Sequence, residues 1–110
     1  MCQYRALISF SDKLAKVCEV VSDYIDQDWM LLYRRLPFHP KRGSHTIEKD
    51  ISDISIERAR APIRNKAAEA LKRWRRHHTR AKASDIIDAL KRIRRHDVVH
   101  RIENLDSHTT

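Results

Sequence analysis

Apolar residues recur at helical spacing along nearly the whole chain. Leu14, Val17, Cys18, Val21 and Ile25 follow an i, i+3, i+4, i+7, i+11 pattern, which gathers them on one stripe of a helix that faces a core. Ser11 or Asp12 is placed to cap its start. A second helix is expected to begin near Asp28, whose carboxylate can accept backbone N–H groups, and to bury Trp29, Leu32 and Leu36. Pro37 and Pro40, followed by Gly43 and Ser44, end it and form a basic loop. Thr46, Glu48 and Lys49 open a shorter third helix with Ile47, Ile51 and Ile54 on one side. The fourth has the clearest pattern: Pro62 suits its first turn, and Ile63, Ala67, Leu71 and Trp74 stand at i, i+4, i+8 and i+11. A fifth, between Ala83 and Arg95, turns Ile86, Ile87, Leu90 and Ile93 inward. Asp97 is placed to cap a short last helix whose Val98, Val99 and Ile102 face the core.

Six amphipathic helices on short links predict an all-α bundle. At 110 residues the chain suffices for one core but not for a core plus a deep catalytic cleft. One glycine and three prolines are too few turn signals for a multi-stranded sheet. No apolar run approaches the ~18 residues that span a bilayer, and no basic–apolar–small leader pattern opens the chain. A flank over 1–10, a domain over 11–105 and a tail over 106–110 are expected, with frayed ends. Cys2 and Cys18 are too few for a disulfide framework; Cys18 lies on an apolar stripe and reads as a buried thiol. The reducing cytosol is the expected compartment, with the nucleus as the alternative.

Charge changes the picture more than any single motif. Between Arg58 and Arg101 stand 15 Lys/Arg against 4 Asp/Glu, whereas the rest of the chain has 8 bases and 11 acids. The net charge is +8. Helix one and its exit carry Asp23, Asp26 and Asp28, and the third helix carries Glu48, Asp50 and Asp53. Unlike patches on different faces permit head-to-tail contacts, which build open helical arrays unless rotation closes them. Such contacts set encounter rate and partner choice and weaken with salt.

Four fragments, in order, resemble the death domain, a six-helix antiparallel Greek-key bundle. Asp28-Trp29-Met30-Leu31-Leu32 with Leu36 is similar to the family's second helix, and Ala70-Leu71-Lys72-Arg73-Trp74 to its fourth. Ile86-Ile87-Asp88-Ala89-Leu90 with Ile93 is similar to the fifth, and Asp97-Val98-Val99 with Ile102-Glu103 to the sixth. Within the family, the placement of Val17-Cys18, the Asp-Trp helix and Ile56-Glu57-Arg58-Ala59-Arg60 look like the C-terminal domain of the Fas-associated death-domain adaptor, in an insect form. Three positions depart from the pattern. Tyr33 replaces a small residue, so helix two must pack differently or expose its phenol. Gly43 and Ser44 replace an apolar opener, so helix three should start late. Lys82 replaces a hydroxyl cap, for which Thr79 or Ser84 would substitute.

The resemblance implies a non-catalytic adaptor that binds a receptor or adaptor death domain. It would bring a caspase together through a domain outside this chain, in apoptosis or innate immunity, within a higher-order helical assembly. The implied contact sets Arg73, Arg75, Arg76 and Arg80 at the end of helix four against a partner's equivalent of Arg94, Arg95 and Asp97. Because both surfaces are basic, an acidic partner is expected in preference to a copy of the chain. The acidic corner Asp23, Asp26 and Asp28 and the pair Arg34 and Arg35 are the other candidates.

Other chemistries fit less well. His96-Asp97-Val98-Val99-His100 has the histidine spacing of a zinc helix, but Asp is shorter than the required Glu and no third ligand is evident. His77 and His78 read as a solvated helix end among cations that disfavour protonation. The only glycine, Gly43, leaves no phosphate-cradling loop, and no nucleophile–base–orienter set is apparent; neither cofactor nor metal is expected. A basic helical nucleic-acid-binding domain is the alternative reading, since the sequence pI is about 9.9. Against it, Trp29 and Trp74 lie on core stripes, and no recognition helix pairs Asn or Gln with Arg.

Overall fold

The computed structural model describes the backbone of residues 2–78 and 80–109 and the side chains of 13–78 and 80–105. Among the described residues there are six α-helices and no strand: α1 (Cys2–Tyr24), α2 (Trp29–Arg35), α3 (Ser44–Glu57), α4 (Ile63–His77), α5 (Ala83–Arg92) and α6 (His96–Thr109). A 3-10 turn, Asp26–Asp28, joins α1 to α2. α1 packs against α4, α5 and α6, and α2 against α3, α4 and α5. Such neighbours, distant in sequence, are those of an antiparallel Greek-key bundle.

The stripes read from the sequence meet in one core. Val17, Val21, Ile25, Trp29, Leu32, Ile54, Leu71, Trp74, Ile86, Leu90, Val98 and Ile102 are all buried. Trp29 and Trp74 are 1% and 0% exposed, so both are core anchors. The Trp74 indole N–H donates to the Pro37 carbonyl at 2.7 Å, which ties α4 to the loop leaving α2. No helix among the described residues is long and apolar enough to cross a membrane.

Several element ends differ from expectation. α1 runs back to Cys2, so Ser11 and Asp12 lie within it and not at its start. α3 begins early, at Ser44, and has 14 residues. Extended backbone at Gly43 presents its carbonyl to the Ile47 N–H at 3.1 Å, so the first turn closes without an apolar opener. α5 is entered through Asp85, whose carboxylate accepts the Lys82 backbone N–H at 3.1 Å; Ser84 lies inside the helix, and Thr79 lies outside the described residues. Asp28 makes no capping bond to α2. α6 starts at His96 and continues to Thr109. Asp97 is therefore in its first turn, and the expected tail continues the helix; Thr110 lies outside the described residues.

Candidate docking surface

The charged surface is organised by its internal pairs. Between α5 and α6 the chain turns through Arg94, whose φ of 63° lies in the left-handed region. The Arg94 N–H reaches the Lys91 carbonyl at 3.1 Å and the Arg95 N–H reaches that of Leu90 at 2.9 Å, the bond pair of a Schellman turn. Arg95 then crosses the exit of α1. Its Nη1 donates to the Ile25 carbonyl at 2.8 Å and to Asp28 at 3.0 Å. Nη2 donates to the Tyr24 carbonyl at 2.8 Å, and Nε and Nη2 each meet an Asp97 oxygen at 3.0 Å. The terminal carbonyls of α1 are thus satisfied by a side chain 70 residues away in sequence. The bonds from Arg95 hold the Asp97 carboxyl below the usual range.

A second network joins α2, α3 and α4. Asp50, 8% exposed, accepts the Tyr33 hydroxyl at 2.8 Å and Arg42 Nη2 at 2.8 Å. Tyr33 is itself fully buried, so this departure from the family pattern packs inward and gains a partner for its phenol. Burial and the bond to Asp50 push the phenol well above its ordinary pKa. Arg73 turns toward the same side, reaching Glu57 at 3.0 Å, Glu69 at 3.6 Å and Asp50 at 4.0 Å.

The proposed contact residues therefore divide in two. Arg73, Arg95, Asp97, Asp28, Arg34 and Asp23 are engaged within the domain: Arg34 holds Glu48 through two bonds of 2.6 and 3.0 Å, and Asp23 pairs with Arg64. Arg75, Arg76, Arg80, Arg94, Arg35 and Asp26 are exposed, and no described residue bonds or pairs with their side chains. The end of α4 thus presents Arg75, Arg76 and Arg80 without Arg73. The corner opposite is not the basic surface that Arg94 and Arg95 imply in the sequence. Arg95 is enclosed by Asp28 and Asp97, with Asp26 on the neighbouring turn.

The histidines also differ from expectation. His78 is 8% exposed and stacks on Trp74 with ring centres 5.6 Å apart; its Nε2 lies 3.4 Å from Asp85. His77 is half-buried, and its pKa is lowered first by burial and then by Arg42; Arg76 and Arg73 contribute less. His96 and His100 lie exposed on α6, with His100 Nδ1 3.5 Å from Glu103. Among the described residues the large exposed apolar side chains are Tyr24, Leu31 and Ile56. The Arg101 guanidinium lies over one face of Tyr24, 3.8 Å from the ring centre.

The Arg95 clasp and the Asp50 network were missed in the sequence because each joins distant segments. The one available signal was local: a helix must end between Ile93 and Asp97 with no glycine to turn it.

No curated protein and no solved structure matches the chain at a significant level. The family model described as "Death domain" matches residues 11–105. With the six-helix fold, that match over most of the sequence shows that the chain belongs to the death-domain family.

Proposed function

We propose that this domain is a non-catalytic adaptor module that binds another death domain through Arg75, Arg76 and Arg80. The observation that carries the reading is the absence of any internal partner for these cations among the described residues, where Arg73, Arg34 and Arg95 all have one. Charges already paired gain little by meeting a second partner, because they must first lose the first. Unpaired ones offer their full attraction to an approaching acidic surface. Arg35, Arg94 and Asp26 form the secondary candidate set.

The partner is expected to be a receptor or adaptor death domain with acidic residues at the equivalent of the α5–α6 corner. A second copy meets that condition weakly. Its Arg95 is enclosed by Asp28 and Asp97, with Asp26 on the neighbouring turn, while Arg94 and Arg101 stand close by, so the acids of this corner only offset its bases. Self-pairing at this contact is thus opposed less than the two arginines alone imply, and a head-to-tail helical array is a permitted product. The pattern of Val17-Cys18, Asp28-Trp29 and Ile56-Glu57-Arg58 supports an adaptor of the Fas-associated kind, insect in origin and cytoplasmic. Its role would be to gather a caspase through a domain outside this chain, in apoptosis or in immune signalling.

The test is charge reversal. Arg75→Glu with Arg76→Glu should abolish pull-down against a panel of purified death domains with acidic surfaces, while helicity and melting stay as in the parent. Undiminished binding by a folded double variant would reject the patch as the docking site.

A further inference from the structure

The link from α2 to α3 carries a basic pair that lies outside the docking residues. Lys41-Arg42-Gly43-Ser44 sets two cations three and two residues before a serine. Kinases with acidic substrate grooves select that spacing, because the cations meet carboxylates while the hydroxyl reaches the nucleotide. The stretch 36–43 belongs to no helix, so the residues before the serine already run as a groove requires. Gly43 is extended, with φ −68° and ψ 156°. Nothing lies within 4 Å of the point where a side chain would start there, so the backbone is open to an enclosing surface. Lys41, Gly43 and Ser44 are exposed. Ser44 is the first residue of α3, and the turn it opens is closed by the Ile47 N–H on the Gly43 carbonyl at 3.1 Å. Opening that one terminal turn frees the hydroxyl. Arg42 is half-buried, with Nη2 on Asp50 at 2.8 Å and a buried Nε that has no partner. Moving to a kinase carboxylate exchanges one anion for another, and Asp50 keeps the Tyr33 hydroxyl.

The other described serines fit less well. Ser22 and Ser55 donate to the Cys18 and Ile51 carbonyls within their helices. Ser52 lies inside α3 between Asp50 and Asp53. Ser84 follows Lys82 but stands beside Asp85, whose carboxylate already occupies the start of α5. The start of α3 holds no such anion: no side chain caps it, and its first turn contains no acid. A phosphate on Ser44 brings a charge of about −1.5 to −2 and three acceptor oxygens to these leading N–H groups. Glu48, one turn further on, is already bonded by Arg34 at 2.6 and 3.0 Å, so the phosphate meets no bare carboxylate there. We propose that Ser44 is a phosphorylation site for a basophilic serine/threonine kinase, and that the phosphate it receives caps α3. In the transfer, Ser44 Oγ bonds to the γ-phosphorus of ATP and the bond to the β–γ bridging oxygen breaks. ADP departs, and the hydroxyl proton passes to the kinase's catalytic aspartate.

The test incubates the whole chain with Mg-ATP and the catalytic subunit of a cAMP-dependent protein kinase, which selects paired bases before a serine. Intact mass should show one phosphate, and peptide mapping should place it on Ser44. Ser44→Ala should lose it, and Ser84→Ala should keep it. Lys41→Ala should slow the transfer at least about tenfold. A synthetic peptide with the sequence of residues 38–48 supplies the reference rate. The folded chain should react at no less than about a tenth of that rate, because only a helix end has to open. Modification of the peptide but not of the folded chain overturns the proposal. So does a phosphate that persists in Ser44→Ala, which would put the site elsewhere. The phosphorylated chain should melt roughly 3–6 °C above the parent at low salt, and Ser44→Asp should recover part of that rise. A phosphorylated chain that melts at or below the parent refutes the capping of α3.

Discussion

Arg95 shows how one side chain can close a fold. Its guanidinium, 18% exposed, bonds two backbone carbonyls and two carboxylates contributed by three separate segments. Removing it leaves the α1 carbonyls without their donor and two aspartates without their cation. Charge-assisted bonds of this kind are worth about 1.5–3 kcal/mol each at most, with overlapping contributions. Arg95→Ala is therefore expected to cost roughly 2–3 kcal/mol, read as a lower urea midpoint at unchanged slope. Arg95→Lys, a single point donor without the fork, should recover less than half. The Asp97 carboxyl is held low by Arg95, so its contribution is present at neutral pH and lost as pH falls through the carboxylate range.

The Cys18 thiol works in the opposite sense. Burial pushes it from an ordinary 9.0 up to about 11, with Arg75 opposing slightly. A raised folded-state value favours the protonated thiol in the native protein. The associated stability is whole below about pH 9 and declines by roughly 3 kcal/mol as pH rises toward 11. Cys18→Ala should flatten that alkaline loss in pH-dependent urea unfolding. An unchanged slope in the variant would mean the thiol is solvated.

At the scale of elements, the turn into α6 carries a cost that a glycine would relieve. Arg94 holds a left-handed φ that a side chain resists. Arg94→Gly should therefore raise stability by about 0.5–1 kcal/mol, visible as a melting point a few degrees higher. Because Arg94 is also a secondary contact candidate, loss of partner binding in this stabilised variant would place it in the interface. Retained binding would confine its role to the turn. Tyr33→Phe removes the hydroxyl that Asp50 accepts at 2.8 Å and should destabilise by about 1–2 kcal/mol in the same assay.

The apolar stripes of all six helices were legible in the sequence, because burial enforces a 3.6-residue period whatever the tertiary partners are. Helix ends were less so. Asp28 and Asp97 have the chemistry of N-caps, yet Arg95 recruits both carboxylates from across the fold. A capping residue is visible in a sequence, whereas a competitor 67 residues away is not. The charge surplus was legible as a total and misleading as a surface. Arg73 reads as a sibling of Arg75 and Arg76, but it faces α3, where Glu57 and Asp50 engage it.

For the whole molecule, the +8 charge is not spread as a uniform basic coat. Ion pairs tie α2 to α3, α3 to α4, α1 to α4, and the α1–α2 corner to the α5–α6 turn. These fix helices against one another while the end of α4 stays uncompensated. Exposed pairs contribute little to stability individually. Their consequence here is directional: they engage Arg34, Arg64 and Arg73 inside the domain, while Arg75, Arg76 and Arg80 at the α4 end keep their charge for the proposed docking contact. The most direct check is the affinity for a purified acidic death domain, measured by calorimetry as salt rises from about 50 to about 500 mM. Affinity should fall at least about tenfold across that range, and much less for a weakly binding Arg75→Ala variant. An affinity independent of salt in the parent protein would contradict charge-directed docking.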